Sequence, residues 1–212
     1  MRIEEENAIF AGSAGAIETI VENPGTPRGI ALICHPHPLF GGANTNKVTQ
    51  TLARTFTRLG YVALRPNFRG VGGSAGTHAD GRGEAEDMLA VLEAARQRYG
   101  DLPVVLAGFS FGAYVQTHVA QALVAAGHPA QRLVLVGTAA GFVEGARQYA
   151  AQAVAADTVV IHGSADTTVP LSNVLAWAEP LDLPVVVVSG ADHFFHRRLH
   201  VIRDIVTRAW RH

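Results

Sequence analysis

Three short segments of the chain carry residue types that together could attack an acyl carbonyl. Gly108-Phe109-Ser110-Phe111-Gly112 has the spacing G-x-S-x-G and falls between an apolar, β-branched run and a stretch of helical spacing. In that strand-turn-helix context the glycines make room for a sharp, strained turn that lifts a serine hydroxyl into the open at a helix N-terminus. A serine hydroxyl is a weak nucleophile at neutral pH, so the chemistry needs a histidine to take its proton and a carboxylate to hold the histidine. Both arrive later in the chain, in the order Ser, Asp, His. Asp166 lies in His162-Gly163-Ser164-Ala165-Asp166, after the run Thr158 to Ile161, and His193 lies in Ser189-Gly190-Ala191-Asp192-His193, after the run Val185 to Val188. Asp192 competes with Asp166 for the carboxylate role, but a neighbour one position away is poorly placed to receive the Nδ1 proton of His193. Asp166 also suits a bland reading, as a turn former or the N-cap of a helix opened by Pro170.

Acyl transfer further requires two backbone N–H groups for the developing oxyanion. Phe111, directly after the serine, supplies one at the positive end of its helix. The second is expected from His35-Pro36-His37-Pro38-Leu39-Phe40-Gly41-Gly42, where the prolines have no N–H to give, which leaves His37 as first choice and Leu39 as second. Phe40, Phe111, Phe142 and Phe194 fall beyond strand runs and could wall an apolar acyl slot beside Ser110, although each could equally be core.

The elements that must position these residues are legible as alternating patterns. Continuous apolar runs at Gly29 to Cys34, Tyr61 to Arg65, Val104 to Ala107, Leu133 to Val136, Thr158 to Ile161 and Val185 to Val188 suit strands buried on both faces. Between them, Val48, Leu52, Phe56 and Leu59, then Ala85, Met88, Leu92, Ala95 and Tyr99, have helical spacing, as do Val115, Val119 and Leu123, and Leu199, Ile202, Ile205 and Val206. Such alternation predicts an α/β fold: an open, mostly parallel, twisted sheet with helices on both faces, and ligands at the carboxyl ends of the strands. The Ala-rich stretch between Val136 and Thr158 has room for one helix but not for a cap domain. Asp80 is expected to N-cap the helix that carries Glu84, Glu86 and Asp87, with Arg69 packing or pairing beneath the preceding loop.

Taken together, Gly108-Phe109-Ser110-Phe111-Gly112, Asp166, His193 and Asn67-Phe68-Arg69-Gly70-Val71-Gly72-Gly73-Ser74 resemble the α/β-hydrolase superfamily. The His35-Pro36-His37-Pro38 loop with its Gly-Gly resembles a group of small, cap-less bacterial serine hydrolases, distantly similar to dienelactone hydrolases. The resemblance runs from about residue 16 to the C-terminus. It implies an α/β-hydrolase fold without a cap, and a serine hydrolase of the carboxylesterase type. Such an enzyme would cleave small carboxylic esters or thioesters through an acyl-enzyme on Ser110, with water as co-substrate and no metal or organic cofactor. Asn67 departs from the Asp of many relatives, and Ser110 stands where a dienelactone hydrolase carries cysteine.

Composition narrows the alternatives. The 212 residues suit one domain spanning 1–212, and 48% hydrophobic against 17% charged residues excludes a disordered chain. A net charge of -1 offers no field for a nucleic-acid backbone, no apolar run is long enough for a membrane, and the acidic start with a single cysteine points to the cytoplasm. Zinc at His35 and His37, or at His193, His196 and His200, lacks H-E-x-x-H and a usable cysteine. Gly70-Val71-Gly72-Gly73-Ser74-Ala75 matches a weak dinucleotide fingerprint but begins well past its strand, and reads better as a loop bordering the site. Cys34 and His35, on successive strand positions, diverge. Two rivals stay open: a non-catalytic binding protein on the same fold, and a hydrolase of carbon–carbon or peptide bonds.

Overall fold

The structure is a computed structural model that describes residues 3–143 and 147–210. In chain order, β1 (Glu4–Gly12) and β2 (Gly15–Asn23) lead into β3 (Gly29–Cys34), α1 (Lys47–Arg58), β4 (Tyr61–Pro66), α2 (Arg82–Tyr99), β5 (Val104–Phe109), α3 (Phe111–Ala125) and β6 (Arg132–Val136). There follow β7 (Gly141–Val143), β8 (Arg147–Tyr149), β9 (Val159–Gly163), α4 (Leu171–Ala178), β10 (Val185–Val188) and α5 (Leu199–Ala209). Eight strands form one sheet in the order β1-β2-β4-β3-β5-β6-β9-β10. From β4 to β10 every pairing is parallel, while β2 runs antiparallel to both β1 and β4. This is the α/β-hydrolase fold that the resemblance implies.

Strand periodicity divides the core into two layers. Ile30, Leu32 and Cys34 of β3 face one side with Met88 and Leu92 of α2 and Val115 and Val119 of α3. Ala31 and Ile33 face the other with Leu52 and Phe56 of α1 and Ile202 and Val206 of α5. Because both faces are covered, β3, β4 and β5 are buried along their whole length, which explains their predominantly apolar runs, with Arg65 of β4 as the charged exception. The exception is β10, whose Val186 and Val187 are partly exposed because it forms one edge of the sheet.

Three features depart from the sequence expectations. The β1–β2 hairpin has no apolar run to announce it: β1 is an edge strand that buries only Phe10, with Ile9 left in solvent. The stretch expected to hold a helix before β9 instead contains the antiparallel ribbon β7–β8. The ribbon and its flanks are held from outside, since the Asn173 amide of α4 donates to the carbonyls of Phe142 (2.6 Å) on β7 and of the preceding Ala140 (3.0 Å), and Thr117 of α3 accepts from the N–H of Gln152 beyond β8 (3.0 Å). Asp80 does not cap α2; it is exposed at φ 50°, and Gly81 is the N-cap. The buried Glu84 does the capping by accepting the N–H groups of Gly81 (2.8 Å) and Ala79 (2.9 Å). Arg69 pairs with Asp87 of α2 through both carboxylate oxygens, at 2.8 and 2.9 Å.

One buried ion pair joins the antiparallel side of the sheet to the loop after β3. Arg65 donates to Glu22 (2.8 Å) and to the Asn44 carbonyl (2.9 Å), both inside the protein. Burial outweighs the guanidinium and pushes the Glu22 carboxyl above its usual range. No described helix is long and apolar enough to cross a membrane. Arg65→Met removes the partner and leaves a desolvated carboxylate, so it is expected to cost about 3 to 5 kcal/mol in urea-unfolding free energy. A loss under about 1 kcal/mol would show that the pair does not hold the sheet.

Candidate active site

The site forms where β3, β5, β9 and β10 end. Ser110 sits between β5 and α3 at φ 56°, ψ −118°, a backbone conformation that L-residues rarely adopt. Its N–H donates to the Val136 carbonyl (2.9 Å), and its own carbonyl accepts from Ala113, Tyr114 and Ala139. The turn can be this tight because Gly108 and Gly112 press against each other and Gly112 lies on the carbonyls of Cys34 and His35; a Cβ at either position would collide with backbone.

The structure brings Ser110, His193 and Asp166 together from three loops. His193 Nε2 lies 3.0 Å from Ser110 Oγ, and His193 Nδ1 lies 2.7 Å from Asp166 Oδ2. All three residues are buried. Asp166 Oδ1 accepts the N–H groups of Thr168 (2.9 Å) and Val169 (2.8 Å), so the turn-forming reading of Asp166 and its pairing with His193 are both realised, one on each carboxylate oxygen. It is not a helix cap, since α4 starts after Pro170. Asp192 is turned away and accepts from the N–H and the imidazole of His196, at 3.0 and 2.7 Å. The Asp166 and His193 loops are stitched to each other, with the Ala165 N–H on the Ala191 carbonyl (3.0 Å) and the Gly190 N–H on Ser164 Oγ (2.7 Å).

The N–H groups proposed for an oxyanion are distributed unevenly. Among the described residues no acceptor takes the N–H of Phe111 or of His37, whereas the Leu39 N–H donates to His37 Nδ1 (3.2 Å). Phe111 and His37 both line the cleft of about 230 Å³ that contains Ser110 and His193, and Leu39 does not. Burial, then the neighbouring His78 and Arg147, lower the His37 pKa to about 4, so its ring is neutral near pH 7 and free to accept from Leu39. His35 props this loop from below. Its Nε2 accepts the Phe68 N–H (2.9 Å), and its Nδ1–H therefore donates to the Pro36 carbonyl (2.7 Å).

Phe40, Phe111 and Phe194 line the cleft, but Phe142 points into solvent, 66% exposed, because it alternates with the inward-facing Val143 on β7. Tyr149, Arg147, Val143, Asn46 and Thr168 also line it and were not singled out from the sequence. Tyr149 and Arg147 lie on the unforeseen ribbon, with the Arg147 guanidinium 4.2 Å above the Phe40 ring. The loop Gly70–Ala75 does not border the cleft. It packs on the hairpin, where the Glu18 carboxylate accepts from Asn67 Nδ2 (2.8 Å) and the Gly73 N–H (2.9 Å). That contact accounts for Asn67: an aspartate there would set two carboxylates against each other, while the amide donates to Glu18 and still accepts the Asn44 N–H (2.8 Å). Cys34 is fully buried, which pushes its thiol pKa up, as expected of a small apolar core residue. Among the described residues no cluster of three or more His, Cys, Asp or Glu is arranged to hold a metal ion.

Comparison with known proteins identifies the family and the fold. The family described as serine aminopeptidase, S33, matches residues 25–156. A structure described as an α/β serine hydrolase homologue from Coxiella burnetii superposes with TM-score 0.82 at 36% identity, covering 97% of each chain. A lidless α/β serine hydrolase from Xanthomonas campestris superposes with TM-score 0.83 at 33% identity, covering 99% of this chain and 94% of that one. An uncharacterised protein from Rickettsia prowazekii is 41% identical over 108 residues, 50% of this chain and 45% of that protein, so the match takes in less than half the relative's length.

The propping role of His35 sets a pH dependence. Burial lowers its pKa to about 4, against about 6.5 in an unfolded chain. Between these values the unfolded chain binds the extra proton, so the contribution is complete above about pH 6.5 and is lost as pH falls toward 4. Burial shifts His37 and His162 in the same direction. The thermal midpoint is therefore expected to fall steadily from pH 7 to pH 4.5, and less steeply in His35→Gln. An unchanged slope in the variant would assign the acid sensitivity to other groups.

Proposed function

We propose, from the premise that the chain belongs to the serine aminopeptidase S33 family of α/β serine hydrolases, that it cleaves small carboxylic esters or thioesters through an acyl-enzyme on Ser110. The observation that carries the reading is the continuous chain from Ser110 Oγ through His193 to Asp166, at 3.0 and 2.7 Å, beside two N–H groups without acceptors among the described residues. His193 takes the Ser110 proton as the hydroxyl attacks the acyl carbonyl, Asp166 fixes the Nδ1–H tautomer, and the Phe111 and His37 N–H groups hold the oxyanion. His193 then protonates the leaving group, and water releases the acyl group by the same route.

The acyl range follows from the cleft. A volume of about 230 Å³ lies below the ~300 to 1,000 Å³ of typical small-molecule pockets, and its wall carries Phe40, Phe111, Tyr149 and Phe194. This favours short or aromatic acyl groups over long chains. The described lining includes Arg147 and no carboxylate, which suits an ester better than the free ammonium of a peptide.

Hydrolysis of p-nitrophenyl esters from acetate to decanoate is expected to peak at short chains. Ser110→Ala should lower kcat on the order of 10⁶-fold and Asp166→Asn on the order of 10⁴-fold. Rates that rise beyond about ten carbons would refute the small-acyl reading. Aminoacyl p-nitroanilides turned over faster than the esters would move the assignment to a peptidase. If Ser110 also fails to react with a fluorophosphonate, the fold serves as a binding protein.

A further inference from the structure

His162 lies on β9, four residues before Asp166, with its imidazole fully buried. Its Nε2 stands 3.0 Å from the Val169 carbonyl and 3.4 Å from Asp166 Oδ2. A carbonyl can only accept, so Nε2 carries the proton. Burial favours the uncharged ring, so Nδ1 is a bare acceptor. That Nδ1 is shut away from solvent with no hydrogen-bond partner among the described residues. Burying an unsatisfied polar atom is costly, and an apolar side chain would avoid the cost. What the imidazole offers that an apolar side chain cannot is its one N–H.

That N–H acts on both oxygens of Asp166. By holding the Val169 carbonyl it anchors the turn whose Thr168 and Val169 N–H groups donate to Asp166 Oδ1. Its Nε2 also lies 3.4 Å from Oδ2, the oxygen paired with His193 Nδ1 at 2.7 Å. Resting on the reading of Ser110, His193 and Asp166 as a triad, we infer that His162 is a positioning residue that locks the Asp166–Val169 turn, fixes the carboxylate plane and so aims His193 at Ser110. It does not line the cleft, and it acts only through Asp166.

The test compares His162→Leu with His162→Gln, whose side-chain amide can present an N–H near the Nε2 position. Four quantities are read: the rate constant of Ser110 labelling by a fluorophosphonate, kcat and KM on p-nitrophenyl acetate, the thermal midpoint, and the downfield proton resonance of His193 Nδ1–H. In His162→Leu, labelling and kcat are expected to fall on the order of ten- to a hundredfold, the cost of a small misplacement in a catalytic group. KM should stay within about threefold, and the resonance should be lost or displaced, with no parallel fall in the thermal midpoint. His162→Gln should recover most of the labelling rate and the resonance. If the leucine variant does not fold, His162→Asn, whose amide reaches the Nδ1 position but not that of Nε2, makes the same comparison and should not recover activity. Wild-type labelling and an unmoved resonance in His162→Leu would overturn the inference, as would equal losses in both variants that simply track thermal stability. A wild-type protein that does not label at all would instead overturn the triad reading, and the resonance would still decide whether His162 holds the Asp166–His193 pair.

Discussion

The strained backbone of Ser110 is the constraint around which the site is arranged. A non-glycine residue at φ 56°, ψ −118° stores on the order of 1 to 3 kcal/mol and persists only where its surroundings leave no alternative. Here the surroundings are the Val136 carbonyl on its N–H, three N–H donors on its own carbonyl, and two glycines that let β5, α3 and the end of β3 close to contact. The same turn points the hydroxyl at His193 and places the Phe111 N–H at the positive end of α3. The candidate nucleophile and one candidate oxyanion donor therefore come from one backbone conformation, and relaxing it would misplace both.

Everything else must be brought to that point by the sheet. Parallel pairing from β4 to β10 puts the ends of β3, β5, β9 and β10 at one edge, and cross-loop hydrogen bonds then set the distances. Neutral buried histidines recur as connectors in this layer. His35 ties the loop after β3 to the loop after β4, His37 accepts from the Leu39 N–H within its own loop, and His162 holds the turn behind Asp166. An uncharged imidazole can donate from one nitrogen and accept at the other, so it can join backbone groups without the desolvation cost of a charge.

The ribbon β7–β8 fills the connection between β6 and β9. It contributes Val143, Arg147 and Tyr149 to the cleft wall, against the loop that carries His37 and Phe40. The rings of Tyr149, Phe111, His37 and Phe40 form one contiguous group, so the cleft wall and the candidate oxyanion loop share their packing. A change in the cleft wall is then a change in the support of the candidate oxyanion loop.

The parallel core, the Ser110 turn and the order Ser, Asp, His are local patterns: continuous apolar runs, helical spacing, and a short motif at each strand end. These were legible in the sequence by itself, because each depends on residues within a few positions of one another. The hairpin β1–β2, the ribbon and the cap of α2 were not, because their stabilising partners are distant. An edge strand exposed on one face leaves no apolar run, the ribbon is held by Asn173 and Thr117 from two helices, and Glu84 reaches back to cap a helix that Asp80 was expected to start. The preference for Asp166 over Asp192 and for His37 over Leu39 was open to sequence reasoning, whereas the exclusion of Phe142 from the cleft required tertiary structure, because it depends on which face of β7 packs inward. Residue type settles which groups are able to do the chemistry, whereas direction and occupancy of each hydrogen bond are decided by what the rest of the chain packs against them.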